Sequence, residues 1–285
     1  EIKLTNIYNF EDFNSFDLFM TIELIFISLL LLALGSFSSS LIFRLSPNFY
    51  KFKKNIFTSR SFCPKCKSSL SPLELIPIVS YLFQFAKCRS CKSKISFYYF
   101  FNECLFLFVG LWVFFTFGKT IYSLIIISIF FIYLILIALD YRYFYLPFSL
   151  NISLVFIGFF SNYFYFVFID NNYFLIFDNP LMFSLYGFIL GYFSLWLINY
   201  IYKILYKNDG IGGGDFILYG GLGSIFGPFS LSIILLFAAI LGCVLYFLKK
   251  DSSSKHIPLG SCLIIGSILY FFIKKNELLE NILVI

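Results

Sequence analysis

Residues 121–139 read IYSLIIISIFFIYLILIAL, and Asp140 follows at once. The run carries no charge, and as a helix it rises ~28 Å against a bilayer core of about 30 Å. It lacks the every-second-residue alternation of a barrel strand, so it reads as a transmembrane helix. The same pattern recurs on both sides of it. Apolar runs lie at Ile22–Phe43, Phe97–Phe117, Leu150–Ile169, Leu181–Tyr202, Phe216–Gly227, Phe229–Leu248 and Ile257–Ile273. With Ile121–Leu139 they make about eight spans. The expected fold class is an all-α polytopic membrane protein.

Composition agrees. Hydrophobic residues are 60% of the 285 and charged residues 13%, where a soluble domain carries about 25% charged residues. Too few polar groups are present to cover a water-exposed surface, which excludes soluble, disordered and collagen-like classes. The 43 phenylalanines are read as lipid-facing and packing material. The net charge of +6 is read as topology, because basic residues gather in cytoplasmic loops; no nucleic-acid partner is expected. Eleven Lys and Arg fall between Arg44 and Ser96, and Arg142, Lys203, Lys207, Lys249, Lys250 and Lys255 fall in loops on the same side. Only Lys3, Lys119, Lys274 and Lys275 fall on the other. This split puts the large loop in the cytoplasm and both termini outside. The first run is too long for a cleaved signal peptide, and no small-residue cleavage site follows it.

Inside the large loop stand two pairs, Cys63-Pro64-Lys65-Cys66 and Cys88-Arg89-Ser90-Cys91. Each CxxC turn offers two thiolates, and zinc takes four such ligands in a tetrahedron. In reducing cytosol, four free thiols point to a metal site rather than to two disulfides. Redox pairs or metal-free thiols are the alternatives. Cys104, Cys243 and Cys262 lie in spans and read as small apolar packing residues.

Charges within spans are costly, roughly 2.5–3.5 kcal/mol on insertion scales, so intramembrane acids are candidates for function. Glu103, Asp140 and Asp215 qualify, with Glu23 and Asp209 near span ends. Asp140 closes one span and Asp215 opens another after Gly210-Ile211-Gly212-Gly213-Gly214, both at the cytoplasmic boundary. Two carboxylates a few ångströms apart cannot both ionise, and such a pair can act as base and acid in aspartyl proteolysis. Alternatively, Asp140 pairs with Arg142, and Asp215 serves as a helix N-cap. The glycines are expected to allow unusual backbone angles and close approach of another segment. The run at 216–227 is short, which would thin the membrane barrier beside Asp215. The single His256 removes His-dependent triads unless it serves itself.

With these residues in order, the chain resembles the type IV prepilin leader peptidases, which are polytopic aspartyl proteases. The resemblance runs from Gly35-Ser36-Phe37 and Arg44 through the two CxxC pairs and Glu74-Leu75-Ile76-Pro77-Ile78-Val79-Ser80-Tyr81-Leu82. It continues with Ile95-Ser96, Glu103, Asp140 with Leu146-Pro147, Gly212-Gly213-Gly214-Asp215, and Ile257-Pro258-Leu259-Gly260. It implies a catalytic pair Asp140 and Asp215, and a cytoplasmic zinc domain held by Cys63, Cys66, Cys88 and Cys91. The activity implied is cleavage of the basic leader of prepilins or pseudopilins at the cytoplasmic face of the bacterial inner membrane. N-methylation of the new terminus with S-adenosylmethionine is implied by the resemblance alone; no soluble methyltransferase fold is read in the chain. Gly35 and Glu103 match family positions without an assigned catalytic role.

The expected organisation is an extracytoplasmic segment at 1–21, a first helix at 22–43, the four-Cys domain at 44–96, a seven-helix peptidase domain at 97–273 in the lipid bilayer, and a tail at 274–285. Three departures from the family pattern stand at Phe148, at Pro258-Leu259-Gly260-Ser261 and at Tyr98-Tyr99-Phe100, where the family has Asp, Pro-Phe-Gly-Pro and Arg-Tyr-Pro. Other readings are a related peptidase with a preflagellin-like substrate, or a zinc-binding membrane transporter or sensor. A transporter would carry polar residues through several spans, whereas the acids here gather at one membrane face.

Overall fold

A computed structural model describes residues 10–52, 55, 60–169, 179–248 and 256–275. Lys3, Lys53, Lys54, Lys249, Lys250 and Lys255 lie outside the described residues, as do most of the two terminal segments. The described chain is helical: α1 (Phe10–Leu45), α2 (Val79–Phe83), α3 (Phe97–Phe117), α4 (Ile121–Tyr143), α5 (Phe148–Tyr165), α6 (Pro180–Tyr206), α7 (Gly213–Phe226), α8 (Ser230–Leu248) and α9 (Leu259–Lys275). Six stretches are long and apolar enough to cross a membrane: Thr21–Leu45, Phe97–Phe117, Ile121–Tyr143, Phe148–Tyr165, Pro180–Tyr206 and Ser230–Leu248. The protein is therefore a multi-pass membrane protein. The two other expected spans are the shorter helices α7, of 14 residues, and α9, of 17.

Local chemistry sets the helix ends. Ser96 caps α3, its hydroxyl accepting from the Tyr98 amide at 3.3 Å, and Gly118 ends it at φ 68°. Asn179 caps α6, with Oδ1 accepting from the Leu181 amide at 3.1 Å, and Pro180 takes the first turn, where a missing N–H costs nothing. α1 begins at Phe10, well before the apolar run at Ile22, because an established helix propagates into flanking polar residues at little cost.

The chain forms two compact units, one of Glu1–Ser40 with Phe57–Gly118, the other of Leu41–Ile56 with Lys119–Ile285. In the first, buried Asn102 of α3 donates from Nδ2 to the hydroxyls of Ser38 at 2.7 Å and Ser39 at 2.9 Å on α1. Beside it, a Cβ on Gly35 would stand 3.0 Å from the Glu103 Cα. Small residues and polar pins of this kind drive helix association where lipid offers no hydrophobic gain.

In the second unit α7 is the central element, with ten of its residues buried from Phe216 to Phe226. Gly187 of α6 and Gly223 of α7 approach so closely that a Cβ on either would overlap the other's carbonyl oxygen. Gly158 of α5 meets Ser224 in the same way. Buried Asn162 of α5 ties the three helices: its amide donates to Ser184 Oγ at 3.0 Å and to the carbonyls of Ser224 at 3.0 Å and Ile225 at 2.9 Å. The element that carries Asp215 is thus tied closely to both α5 and α6.

Candidate active site and four-cysteine centre

Asp140 and Asp215 are brought together in the second unit. Asp140 lies in the last turn of α4 and is 5% exposed. Gly212 is the N-cap of α7, so Asp215 is its third residue, with its own amide donating to the Gly212 carbonyl at 3.0 Å. The N-cap alternative for Asp215 is thereby removed. An atom placed as Cβ on Gly260 would stand 3.2 Å from Asp140 Oδ2 and 3.2 Å from Asp215 Oδ1. The two oxygens are therefore no more than twice that distance apart. They flank a glycine that leaves the space between them open.

The two carboxylates are held differently. Asp140 Oδ2 accepts from the Ser261 amide at 2.5 Å and from the Ser261 hydroxyl at 2.8 Å. Asp215 Oδ1 is buried and has no hydrogen-bond partner among the described residues. One oxygen of the pair is fixed by α9, and the other is aimed at the shared space with its acceptor capacity unused.

The glycine loop is shaped by contact. Among the described residues the glycines with positive φ are Gly118 and Gly227, so Gly210 and Gly212 to Gly214 use ordinary backbone angles, contrary to expectation. Close approach is what some of them supply. Leu146, of the Leu-Pro pair after α4, lies against both arms of the site: a Cβ on Gly214 would come within 2.9 Å of it and one on Gly260 within 2.8 Å. Gly210 meets the Tyr202 ring in the same way, at 2.8 Å, while a Cβ on Gly213 would meet open space.

Two asparagines that sequence reading passed over hold this loop. Asn199 of α6 accepts through Oδ1 from the amides of Gly210 and Ile211, each at 2.9 Å, and donates to Asp209 at 3.3 Å. Asp209 also pairs with Lys203 at 3.1 Å, and these partners, Lys203 foremost, hold its carboxyl below the ordinary range. Asn151 of α5 donates from Nδ2 to the Gly214 carbonyl at 2.9 Å. An asparagine in an apolar run carries the same insertion cost argument as an acid, and that signal could have found both. Ser261 gave none beyond its place after Gly260.

The four predicted thiols also converge. The sulfurs of Cys63, Cys66, Cys88 and Cys91 all lie within 4.8 Å of one another, with Cys63 and Cys91 at 3.9 Å. Zinc with Zn–S bonds of about 2.3 Å requires a tetrahedron with edges of about 3.8 Å, so the donor set fits. The two pairs are repeats of one turn. In each, the first Cys carbonyl accepts from the lysine four residues on (Lys67 at 2.8 Å, Lys92 at 2.9 Å), and its amide donates to a serine carbonyl (Ser68 at 3.0 Å, Ser93 at 2.8 Å). Lys67 and Lys92 both take positive φ, and isolated bridges from Phe62 to Ser69 and from Lys87 to Lys94 close the turns. The Ser93 hydroxyl and amide draw the Cys91 thiol down to about 6, toward the thiolate that binds metal. Of the remaining cysteines, Cys262 is buried and Cys104 partly so, but Cys243 is exposed on α8, so its expected packing role does not hold. The single histidine, His256, lies edge-on to the Phe144 ring at 6.1 Å.

Residues 29–117 match the bacterial peptidase A24 N-terminal domain, and residues 124–247 match the type IV leader peptidase family. The first match holds the four cysteines and the second both aspartates. A prepilin leader peptidase/N-methyltransferase of Neisseria gonorrhoeae is 31% identical over 224 residues, covering 76% of this chain and 72% of that protein. Proteins of the same name from Legionella pneumophila (32% over 226 residues, 78% and 75% covered) and Vibrio cholerae (29% over 257 residues, 88% and 97% covered) are also similar. No solved structure matches the chain. The chain belongs to the type IV leader peptidase family.

Proposed function

We propose that this protein is a membrane aspartyl endopeptidase that removes the basic leader of type IV prepilins or pseudopilins, at the cytoplasmic face of a bacterial inner membrane. The observation that carries the reading is the approach of Asp140 Oδ2 and Asp215 Oδ1 across Gly260. In this reading a water lies in the space above Gly260. One carboxylate takes its proton as the oxygen attacks the scissile carbonyl carbon, and the protonated partner donates to the carbonyl oxygen. Collapse of the tetrahedral intermediate breaks the C–N bond: the proton held by the first carboxylate goes to the leaving amine, and the partner takes back a hydroxyl proton as the carbonyl re-forms. Ser261, Leu146 and the Asn199 and Asn151 contacts keep the two carboxylates in register. α7 and α9 complete the membrane domain as short spans, and α7, rising ~21 Å, leaves water a short path to Asp215.

Cys63, Cys66, Cys88 and Cys91 would hold zinc as four thiolates, and the ion would supply a structural cross-link between the two turns. Methylation of the new N-terminus, with S-adenosylmethionine as donor, is supported by the names of the relatives. The described residues offer no strand-and-glycine-turn cradle for that cofactor, so no step is derived through it. The test is to incubate the purified protein in bilayers with a prepilin, with and without S-adenosylmethionine. The mature chain should lack the leader in both cases and gain the mass of one methyl group only with the cofactor. An intact prepilin would contradict the peptidase reading, and a mature but unmethylated chain would contradict the methylase alone.

A further inference from the structure

The segment between the two cysteine turns is more apolar than a free cytoplasmic domain would be. It runs through a 3-10 turn, Pro72–Leu75, into α2, and it exposes large apolar side chains: Leu73 at 73%, Phe83 at 82% and Phe85 at 83%, with Ile76, Val79 and Leu82 also open. A water-bathed domain seldom displays so contiguous a patch.

Its depth explains it. Ile78 stands at φ 61°, a region that disfavours a β-branched residue, and its amide donates to Glu103 Oε2 at 2.7 Å. Glu103 is the seventh residue of α3, ~9 Å along the axis from Phe97. α3 has 21 residues, ~31 Å, so it fills the bilayer core from end to end. One turn higher, the Tyr81 ring stacks on Phe100 at 5.3 Å. The segment is therefore pinned beside the first two turns of a spanning helix. On that helix Phe97, Phe101, Phe108 and Phe115 are exposed along one face, which meets lipid. The charges fit the same picture. Residues 60–96 carry seven Lys and Arg against the single acid Glu74. Glu74 is engaged locally, accepting from the Ser71 amide at 2.8 Å. Lys65, Lys67, Lys87, Arg89, Lys92 and Lys94 are all exposed on the cysteine turns that flank the apolar segment.

We infer that residues 72–86 are seated in the bilayer interface, with Leu73, Leu82, Phe83 and Phe85 among the acyl chains and the cysteine turns lying on the phosphates of anionic lipid. The four-cysteine region is then a membrane-surface module, clamped to its depth by Glu103, rather than a free cytoplasmic domain. This seating depends only on the first unit and the spanning character of α3, and it stands apart from catalysis.

The unmodified protein tests it. Trypsin cuts after Lys67 and Lys87 and releases the segment as one peptide, Ser68–Lys87. The full-length chain is placed in nanodiscs of phosphatidylcholine, with or without phosphatidylglycerol, and labelled with a lipid-phase carbene probe. The expected result is label in Ser68–Lys87 comparable with that in the spanning peptide Thr120–Arg142, and several-fold above that left by a water-soluble carbene probe. Acylation of Lys87, Lys92 and Lys94 by a soluble reagent should also slow several-fold when phosphatidylglycerol is present and recover in high salt. Lipid-phase label at background in Ser68–Lys87, as a docked protein partner or a free domain would give, overturns the inference. Lysine rates indifferent to phosphatidylglycerol overturn the anionic contact.

Discussion

Ser261 places two donors on one oxygen of Asp140, where the family pattern has a proline that could offer neither. Hydrogen bonds to charged groups contribute about 1.5–3 kcal/mol each, and about 1.4 kcal/mol is tenfold in rate. Ser261→Ala keeps the amide and loses the hydroxyl, and should lower the cleavage rate about tenfold. Ser261→Thr should retain activity, while Ser261→Pro should lose more than the alanine variant. Rates on one prepilin, compared at equal protein levels, check the order. Equal rates for all four would leave Ser261 without a role at Asp140. At this scale the residues that the fold brings together, Asp140 with Asp215 and the four cysteines with one another, could be picked out beforehand, because acids in apolar runs and CxxC pairs are rare in such a chain. Ser261, Asn199 and Asn151 could not. Serine and asparagine are ordinary in such a chain, and their importance lies in partners more than 60 residues away in sequence for Ser261 and Asn151.

Among the elements, the glycines of α6 and α7 set the packing. Gly223→Ala puts a methyl group into the Gly187 carbonyl, and overpacking of this kind costs about 1–3 kcal/mol. Unfolding in a denaturing detergent should shift to lower concentration by that margin, and an unchanged midpoint would contradict the close approach of the two helices. The cysteine turns make a separate prediction: purified protein should carry a single tetrahedrally bound zinc. Cys63→Ser or Cys88→Ser should lower that content sharply, and Asp215→Asn should leave it intact; elemental analysis decides. Element positions were read well where apolar length alone sets them, as in α3, whose expected bounds, Phe97–Phe117, are those observed. They were read less well where tertiary contact intervenes. The glycine loop before α7 was expected to allow both unusual backbone angles and close approach, and it uses only the second. Its angles are ordinary, because side chains such as Leu146, distant in sequence, supply the demand for space.

For the whole molecule, the membrane class followed from composition and run length, and the family match agrees with it. Six helices meet the length for a span, and the two shortest of the eight expected spans, α7 and α9, each bring a residue to the site, Asp215 and Ser261. Their brevity and burial have one cause: they are packed for position more than for crossing. The apolar segment at 72–86 stood out only through its attachment to α3, by the Ile78 amide on Glu103 and the Tyr81 ring on Phe100. The central claim is that Asp140 and Asp215 act as one catalytic pair, and the most direct measurement is cleavage of a co-expressed prepilin in membranes by wild type, Asp140→Asn and Asp215→Asn at matched abundance. The account predicts that each single variant loses activity by about 10²–10⁴-fold, the range for losing an acid–base group, while its zinc content is unchanged. Cleavage at the wild-type rate by either variant would contradict it.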